Sequence, residues 1–203
     1  MELLKTSLDT ENLSKNYFEI YYKSFSEKLY YTTGNKIFSS ISQMVNIDDV
    51  VEIMDPFYRS TGLGVALYDE NHVLLKSKGW QKICTLFHKQ NTEAHKGCIE
   101  SERFLTKGFR PDLAIAHKCR NGLWELAFPI FMNDKRIGHV NFGQFFLTGE
   151  EIDKNYFLEQ AEKYSFDKEK YICFLRNVPI LAVEKIESDV ELFLMMILKL
   201  TGR

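Results

Sequence analysis

The sequence predicts an α+β fold in which helices flank and interrupt an antiparallel sheet. Two adjacent apolar segments, residues 123–132 and 136–146, meet at Asn133 and Asp134, residue types that tolerate the positive φ of a tight turn. They predict a long β-hairpin. Helical periodicity precedes this hairpin and returns after it, and no strand is predicted beyond residue 146. These observations together favour a sheet enclosed by helices.

The composition is that of a folded chain without a strong electrostatic footprint. The 203 residues are 45% hydrophobic and 27% charged, with a formal net charge of -2. Such a chain can bury a sizeable core, and its length fits one domain with additional helices. The small net charge argues against direct contact with nucleic acid or an anionic membrane surface.

Targeting signals and membrane segments are not predicted. The longest uncharged apolar run, residues 192–198, is far shorter than the roughly 20 residues that span a bilayer. The N-terminus carries an early acidic residue and lacks the apolar core of a secretory signal. We therefore expect a cytoplasmic protein whose four cysteines are reduced thiols or ligands.

The N-terminal part is predicted to hold two helices and the first strands. Aromatic residues at three- and four-residue steps predict one helix over residues 16–31. A second helix begins at Asp48, its predicted cap, and ends near Arg59. Residues 62–69 then predict a strand whose hairpin partner is 73–75.

Helices interrupt the sheet in the middle of the chain and return at its end. Two short helices are predicted over residues 80–89 and 94–105, followed by a strand over 113–119. Beyond the long hairpin, helices are predicted over 150–164 and 167–176.

The register of the long hairpin depends on the length of its loop. A two-residue loop would shift every pair by one relative to a three-residue loop. The match of apolar with apolar residues favours the three-residue loop. It predicts the pairs Phe128 with Val140, Leu126 with Phe142 and Trp124 with Gln144.

The last helix, predicted over residues 179–200, carries a heptad-like apolar seam. This pattern predicts either a coiled-coil dimer or a helix buried on its own domain, and both interpretations stay open here. We divide the chain into a main domain, residues 1–178, and a C-terminal helix, residues 179–203. The seam consists of Val183, Ile186, Val190, Phe193, Ile197 and Leu200.

Familiar catalytic and nucleotide-binding motifs are absent from the sequence, and no two cysteines have CxxC spacing. Cys119 near His117 is the only candidate pair of nucleophile and base. Two residues apart on one strand, these side chains share a face but need not be in hydrogen-bond contact. We therefore predict that the protein is not an enzyme.

Cysteines and histidines gather in the central third of the chain. His88 follows Cys84 by four residues and shares its helix face. The favoured interpretation is that the thiols line the core or a ligand pocket. The alternatives are redox sensing and a metal or iron–sulfur site at Cys84, Cys98 and Cys119.

Polar residues lie within the apolar long hairpin. Glu125, Asn141 and Gln144 would need partners if buried, and a bound small polar molecule could supply them. The alternative is that they bond to backbone groups or face water. Trp80 and Trp124 are candidate ligand platforms, or else core residues.

Several short segments resemble the PocR sensory domain, a family of bacterial ligand-sensing domains. The resemblance covers about residues 47–146. Arg120 stands where many members have histidine, and His117 is the candidate substitute. Glu102 stands where many have aspartate. The matching segments are Trp80-Gln81-Lys82-Ile83-Cys84, Cys98-Ile99-Glu100-Ser101-Glu102, Cys119-Arg120-Asn121-Gly122-Leu123, Ala127 with Pro129 and Ile130, Ile137-Gly138, and Gly143-Gln144.

The resemblance implies a PAS-like fold with a small-molecule pocket between the sheet and the inserted helices. Such domains occur in bacterial transcription regulators and sensor histidine kinases and are thought to bind simple hydrocarbon derivatives such as propanediol. By motif position, the resemblance implies that the pocket or motif residues are Cys84, Cys98, Cys119 and Gln144.

The resulting prediction is a sensing domain, residues 1–178, that binds a small organic molecule and transmits a signal through a signalling or dimerisation helix, residues 179–203. No resident cofactor is expected. We expect a homodimer. A metal or iron–sulfur sensor is the alternative. The predicted ligand-binding residues are Trp80, Cys84, His88, Cys98, His117, Cys119, Trp124, Glu125, Phe142 and Gln144.

Overall fold

The structure, a computed structural model, describes residues 16–22, 25–34 and 36–201. Residues 1–15 of the predicted main domain and residues 202–203 of the predicted C-terminal helix lie outside the described part. The strands are β1 (Tyr17–Tyr21), β2 (Gly64–Asp69), β3 (Leu74–Lys78), β4 (Leu113–Lys118), β5 (Trp124–Met132), β6 (Lys135–Leu147) and β7 (Ile180–Leu181). The helices are α1 (Phe25–Thr32), α2 (Ile41–Met44), α3 (Ile47–Thr61), α4 (Lys82–Leu86), α5 (Thr92–Lys107), α6 (Lys154–Lys163), α7 (Lys168–Leu175) and α8 (Val183–Leu200).

The main sheet is antiparallel throughout, with the order β1-β4-β5-β6-β2-β3. Strand β2 pairs with both β3 and β6, so the first hairpin lies beside the long one. Helices α4 and α5, with a short turn of 3-10 helix at His88–Gln90, are inserted between β3 and β4. This arrangement confirms the predicted α+β class and is compatible with a PAS-like sheet.

The predicted helix over residues 16–31 is wrong in its first half. Tyr17–Tyr21 forms β1, an edge strand paired with β4, and only Phe25–Thr32 is helical. Phe18 and Ile20 are fully buried, and this alternation is the pattern of a strand face. In the sequence, aromatic residues at three- and four-residue steps favoured a helix over this strand. Residues 23 and 24 of the predicted helix lie outside the described part.

The long hairpin combines the predicted register with an unexpected loop. The loop has two residues, Asn133 and Asp134, both with positive φ (49° and 59°). A bulge between Ile130 and Phe131 restores the register that a three-residue loop would give. Two of the three predicted pairs are therefore confirmed, namely Phe128 with Val140 and Leu126 with Phe142.

A second bulge lies at the other end of the hairpin. It falls between Trp124 and Glu125, so Trp124 pairs with Phe145 and not with Gln144 as predicted. Glu125 pairs with Gly143. The extra residue is Gln144 on β6, whereas Trp124 and Glu125 lie on opposite faces of the sheet by the ordinary alternation of β5.

Boundaries elsewhere differ by a few residues. The cap of α3 is Asn46, whose side chain accepts a hydrogen bond from the Asp48 backbone, so the predicted cap at Asp48 is wrong. The absence of strands after residue 146 is also wrong, because β7 pairs in parallel with the end of β6. Because Ile180 and Leu181 form this strand, α8 begins at Val183 and not at the predicted residue 179.

Helices α1, α3 and α8 cover one face of the sheet and build the largest core with it. The Phe193 ring lies 5.0 Å from the Phe57 ring and 5.6 Å from the Phe142 ring, measured between centroids. The seam of α8 therefore faces the chain's own core, as one of the two predicted interpretations required. Helix α5 packs on the other face, and a smaller cluster involves α4, α6 and α7.

Among the described residues, no helix combines the length and the apolarity needed to cross a membrane.

Candidate ligand-binding cavity

A cavity of about 50 Å³ lies between the sheet and the inserted helices. Strands β2, β5 and β6 form its floor, and α5 and the segment from Trp80 to Lys89 form its walls. The lining residues are Tyr68, Trp80, Cys84, Lys89, Cys98, Glu102, Glu125, Asn141, Phe142, Gly143 and Gln144.

Strand alternation places polar side chains on the cavity floor. Leu126 and Phe142 belong to the core on one face, so their neighbours Glu125 and Asn141 lie on the other. Gly143, which pairs with Glu125, leaves room beside that carboxyl: a Cβ there would lie 3.4 Å from the Glu125 Cγ. The floor is thus polar where the sheet faces α5.

The segment that carries Trp80 is fastened to β6. The Gln81 backbone N–H donates to Gln144 Oε1 at 3.0 Å, and both residues are buried. Gly79 has a φ of 80° and packs closely on Tyr58, where a Cβ would lie 2.2 Å from a ring carbon. A side chain at residue 79 would therefore push this segment away from α3.

Lys89 and Trp80 form one wall of the cavity together. The Lys89 Nζ lies 2.9 Å from the centroid of the Trp80 ring, in a cation–π arrangement. His88, immediately before Lys89, is fully buried and fixes the start of this side chain.

The motif around Cys119 holds α5 against the sheet. Asn121 Nδ2 donates to the Ala94 carbonyl at 3.1 Å and to Cys98 Sγ at 3.2 Å. The Arg120 backbone N–H donates to Ser101 Oγ at 3.0 Å. Two of the segments that resemble the family therefore build the cavity wall by attaching a helix.

The titratable groups of the cavity are strongly affected by burial. Burial, together with the nearby Glu102 carboxylate, raises the pKa of Glu125 to about 7, and Lys89 opposes the shift. Burial also raises the pKa of Glu102 and lowers the pKa of Lys89. Within the described residues, no carboxylate lies within 4.0 Å of the Lys89 ammonium. The cavity therefore contains an amine and two carboxyl groups that share space without direct ion pairs.

One floor atom lacks a hydrogen-bond partner. Asn141 Oδ1 is buried and accepts no hydrogen bond from the described residues. A buried amide oxygen left unpaired costs about 1–3 kcal/mol. A ligand that donates a hydrogen bond would remove this cost.

Six of the ten predicted ligand-binding residues line the cavity. Phe142 borders it, although its ring packs against Phe57 on the opposite face, with 6.1 Å between centroids. The six are Trp80, Cys84, Cys98, Glu125, Phe142 and Gln144.

Cys119 belongs to the neighbouring apolar cluster, and His88 contacts it through Tyr171. His88 Nε2 lies 2.7 Å from the Tyr171 hydroxyl, and burial lowers the pKa of His88 to about 4. Cys119 is buried in the cluster that contains Phe157. Neither residue lines the cavity.

His117 and Trp124 lie further from it. The His117 ring lies 4.3 Å from the Phe104 ring near the sheet edge. The Trp124 indole N–H donates to Glu150 at 2.8 Å, and its ring packs in the core on the opposite face of the sheet. These two side chains support the fold at their positions.

Four polar lining residues were not among the ten predicted ligand-binding residues: Tyr68, Lys89, Glu102 and Asn141, the last of which was singled out only as a residue that needs a partner if buried. Glu102 follows Cys98 by four residues on α5, and this spacing places both on one helix face. Tyr68 is the last buried residue of strand β2. The periodicity of the sequence did not indicate Lys89, because the backbone around it forms a turn of 3-10 helix and not α-helix.

The described residues contain no group of three or more His, Cys, Asp or Glu side chains placed to hold a metal ion. Burial raises the pKa of Cys98 to about 11 and that of Cys84 well above its ordinary value, which favours the thiol forms. The metal or iron–sulfur hypothesis stays a prediction that metal analysis can test.

Comparison with protein families gives one finding that covers most of the chain. The family model described as a sensory domain found in PocR matches residues 43–201. The match includes every cavity residue and all of α8 up to Leu200. Comparisons with curated proteins and with solved structures give no match.

Proposed function

Since the chain belongs to the PocR sensory domain family, we propose that its cavity binds a small, uncharged, oxygen-bearing organic molecule. The observation that carries this proposal is the buried, unpartnered Asn141 Oδ1 on the floor of the cavity. A hydroxyl group donates to such an oxygen and also accepts from an amine such as Lys89.

The size of the cavity limits the ligand. One water molecule needs a cavity volume of roughly 10–15 Å³. The volume of about 50 Å³ therefore accommodates about four groups of the size of water. A three-carbon diol is close to this size. Longer or branched molecules would require movement of Trp80 or α5.

The charges of the cavity favour a neutral ligand. Lys89 and Glu102 offset one another, and Glu125, with its pKa raised to about 7, is half protonated near neutral pH. A charged ligand of the same size would leave one buried charge without compensation, which is costly.

We further propose that the domain serves a bacterial signalling protein, such as a transcription regulator or a sensor histidine kinase. Phe142 borders the cavity and contacts Phe193 of α8, which supports transmission through that helix. Transmission requires the ligand to bind one arrangement of α8 more tightly than another. A homodimer remains part of this proposal, and the exposed side chains of Leu192 and Met195 offer a surface for it.

Thermal unfolding with propanediol tests the ligand proposal. We expect the melting temperature to rise with propanediol concentration, because a ligand that binds only the folded state stabilises it. Propylamine and propionate, of similar size but charged, should have no such effect. Asn141→Ala should weaken the response, and Asn155→Ala, at an exposed site on α6, should leave it unchanged. A response to all three compounds, or to none, would contradict the proposal.

A further inference from the structure

Lys89 differs from the other lysines that the structure places near acidic groups. Its amine lies on the cavity wall over Trp80 and has no carboxylate within 4.0 Å among the described residues. By contrast, six lysines of the described chain form ion pairs with carboxylates. They are Lys78, Lys96, Lys118, Lys168, Lys170 and Lys185.

The same cavity holds a group that can carry a proton to and from that amine. Glu125 lines the cavity, and burial raises its pKa to about 7, where it exchanges protons readily at neutral pH. Burial lowers the pKa of Lys89, which increases its share of the nucleophilic, uncharged amine. Asn141 Oδ1 supplies an acceptor for a hydroxyl formed during the reaction.

We propose that Lys89 captures a small aldehyde or ketone in this cavity as a reversible imine. The inference rests on the proposed function, because it uses the same cavity and ligand size. It adds carbonyl compounds as a ligand class and gives Lys89 a covalent role.

The steps conserve atoms and electrons. Ionised Glu125 takes a proton from the Lys89 ammonium through a water molecule in the cavity, because the two groups form no direct ion pair. The free amine adds to the carbonyl carbon, and the proton that the nitrogen then loses passes to the carbonyl oxygen, which gives a carbinolamine. Protonated Glu125 then returns its proton to the hydroxyl group, which leaves as water while the C=N bond forms. Hydrolysis reverses these steps, so no oxidant or reductant is consumed.

Reductive trapping of the full chain tests this inference. The protein is treated briefly with dilute propanal and cyanoborohydride at neutral pH, and peptide mass spectrometry locates the propyl groups. We expect Lys89 to react severalfold faster than Lys76, because Lys89 lies on the cavity wall beside the bound aldehyde and burial lowers its pKa, which raises its share of free amine. Lys76 is exposed on β3 and serves as the internal reference. Equal rates at the two lysines would overturn the proposal.

Two variants test the roles of Glu125 and Lys89 separately. Glu125→Gln should slow the reaction at Lys89 and leave that at Lys76 unchanged, whereas equal rates in variant and parent would remove Glu125 from the mechanism. Lys89→Arg keeps the positive charge and should abolish trapping at the cavity. Circular dichroism and melting curves confirm that both variants are folded before rates are compared.

Propanediol separates the inference from the function on which it rests. Propanediol that stabilises the protein and protects Lys89 from propanal supports both. Stabilisation by propanediol without preferential trapping at Lys89 would overturn the imine alone. Failure of both measurements would overturn the ligand-binding function as well.

Discussion

Glu125 shows how one residue can couple the fold to pH. Strand alternation places it on the cavity face, where burial raises its pKa from 4.5 to about 7. The folded chain therefore keeps a proton on Glu125 over a pH range in which the unfolded chain has released it. The stabilisation from this group is complete below pH 4.5 and declines as the pH rises, until the decline ends above about pH 7.

The first prediction concerns Glu125→Gln, which removes this titration and keeps the size of the side chain. Relative to the parent, the variant should gain on the order of 3 kcal/mol in its free energy of unfolding between pH 4.5 and about 7. Urea unfolding across this range measures the difference. A constant difference between the two proteins would show that Glu125 does not have a raised pKa.

Buried histidines make the comparison with the parent necessary. The pKa of His88 is lowered to about 4 and that of His139 to about 3, mainly by burial. Their stabilisation is present above the unfolded value of 6.5 and is lost as the pH falls, opposite to that of Glu125. Both proteins share these histidines, so the difference between them isolates Glu125.

At the scale of elements, Gln144 attaches the Trp80 segment to β6. Its Oε1 accepts the Gln81 N–H, and both residues are buried. Removing the acceptor leaves a buried N–H unpaired. The side chain therefore contributes to the cavity first by positioning Trp80.

We predict that Gln144→Ala lowers the free energy of unfolding by about 1–3 kcal/mol and weakens the response to propanediol. Gln43→Ala is the matched control, because Gln43 is exposed and water can replace its bonds to Ser39. Urea unfolding and propanediol titration measure both effects. Loss of the ligand response at unchanged stability would instead indicate a direct ligand contact at Gln144.

Local hydrophobic patterns predicted which helices and strands form better than they predicted where these elements end or where bulges lie. The long hairpin and α5 follow from apolar alternation and helical spacing, and both occur in the structure. Strand β1 did not follow, because an edge strand depends on pairing with β4, almost a hundred residues away in the chain. Pairing at that distance leaves no local signal.

The cavity was predictable only in part, for a similar reason. Trp80, Cys98 and Gln144 lie in segments that resemble a known family, and they line the cavity. Lys89, which was not predicted, reaches it through a turn of 3-10 helix. Such irregular backbone depends on tertiary packing, which single-sequence periodicity does not capture.

At the scale of the whole molecule, α8 joins the core to the proposed signalling route. Ile186, Val190, Phe193 and Ile197 are fully buried along its inner face, whereas Leu192 is 47% exposed. The inner face contacts α3 and the ring of Phe142, which borders the cavity. A change at the cavity can therefore reach α8 through one layer of packed side chains.

The last prediction separates a core role of this seam from a role between subunits. Phe193→Ala should lower the free energy of unfolding by about 3–5 kcal/mol, because it empties a packed site between Phe57 and Phe142. Leu192→Ala, one residue away and exposed, should cost about 0.5 kcal/mol or less. Denaturant unfolding measures both costs, and light scattering gives the mass of each folded protein. We expect Phe193→Ala to keep the parent's mass, since its ring contacts its own chain. A lower mass with unchanged stability would instead place the seam between two subunits.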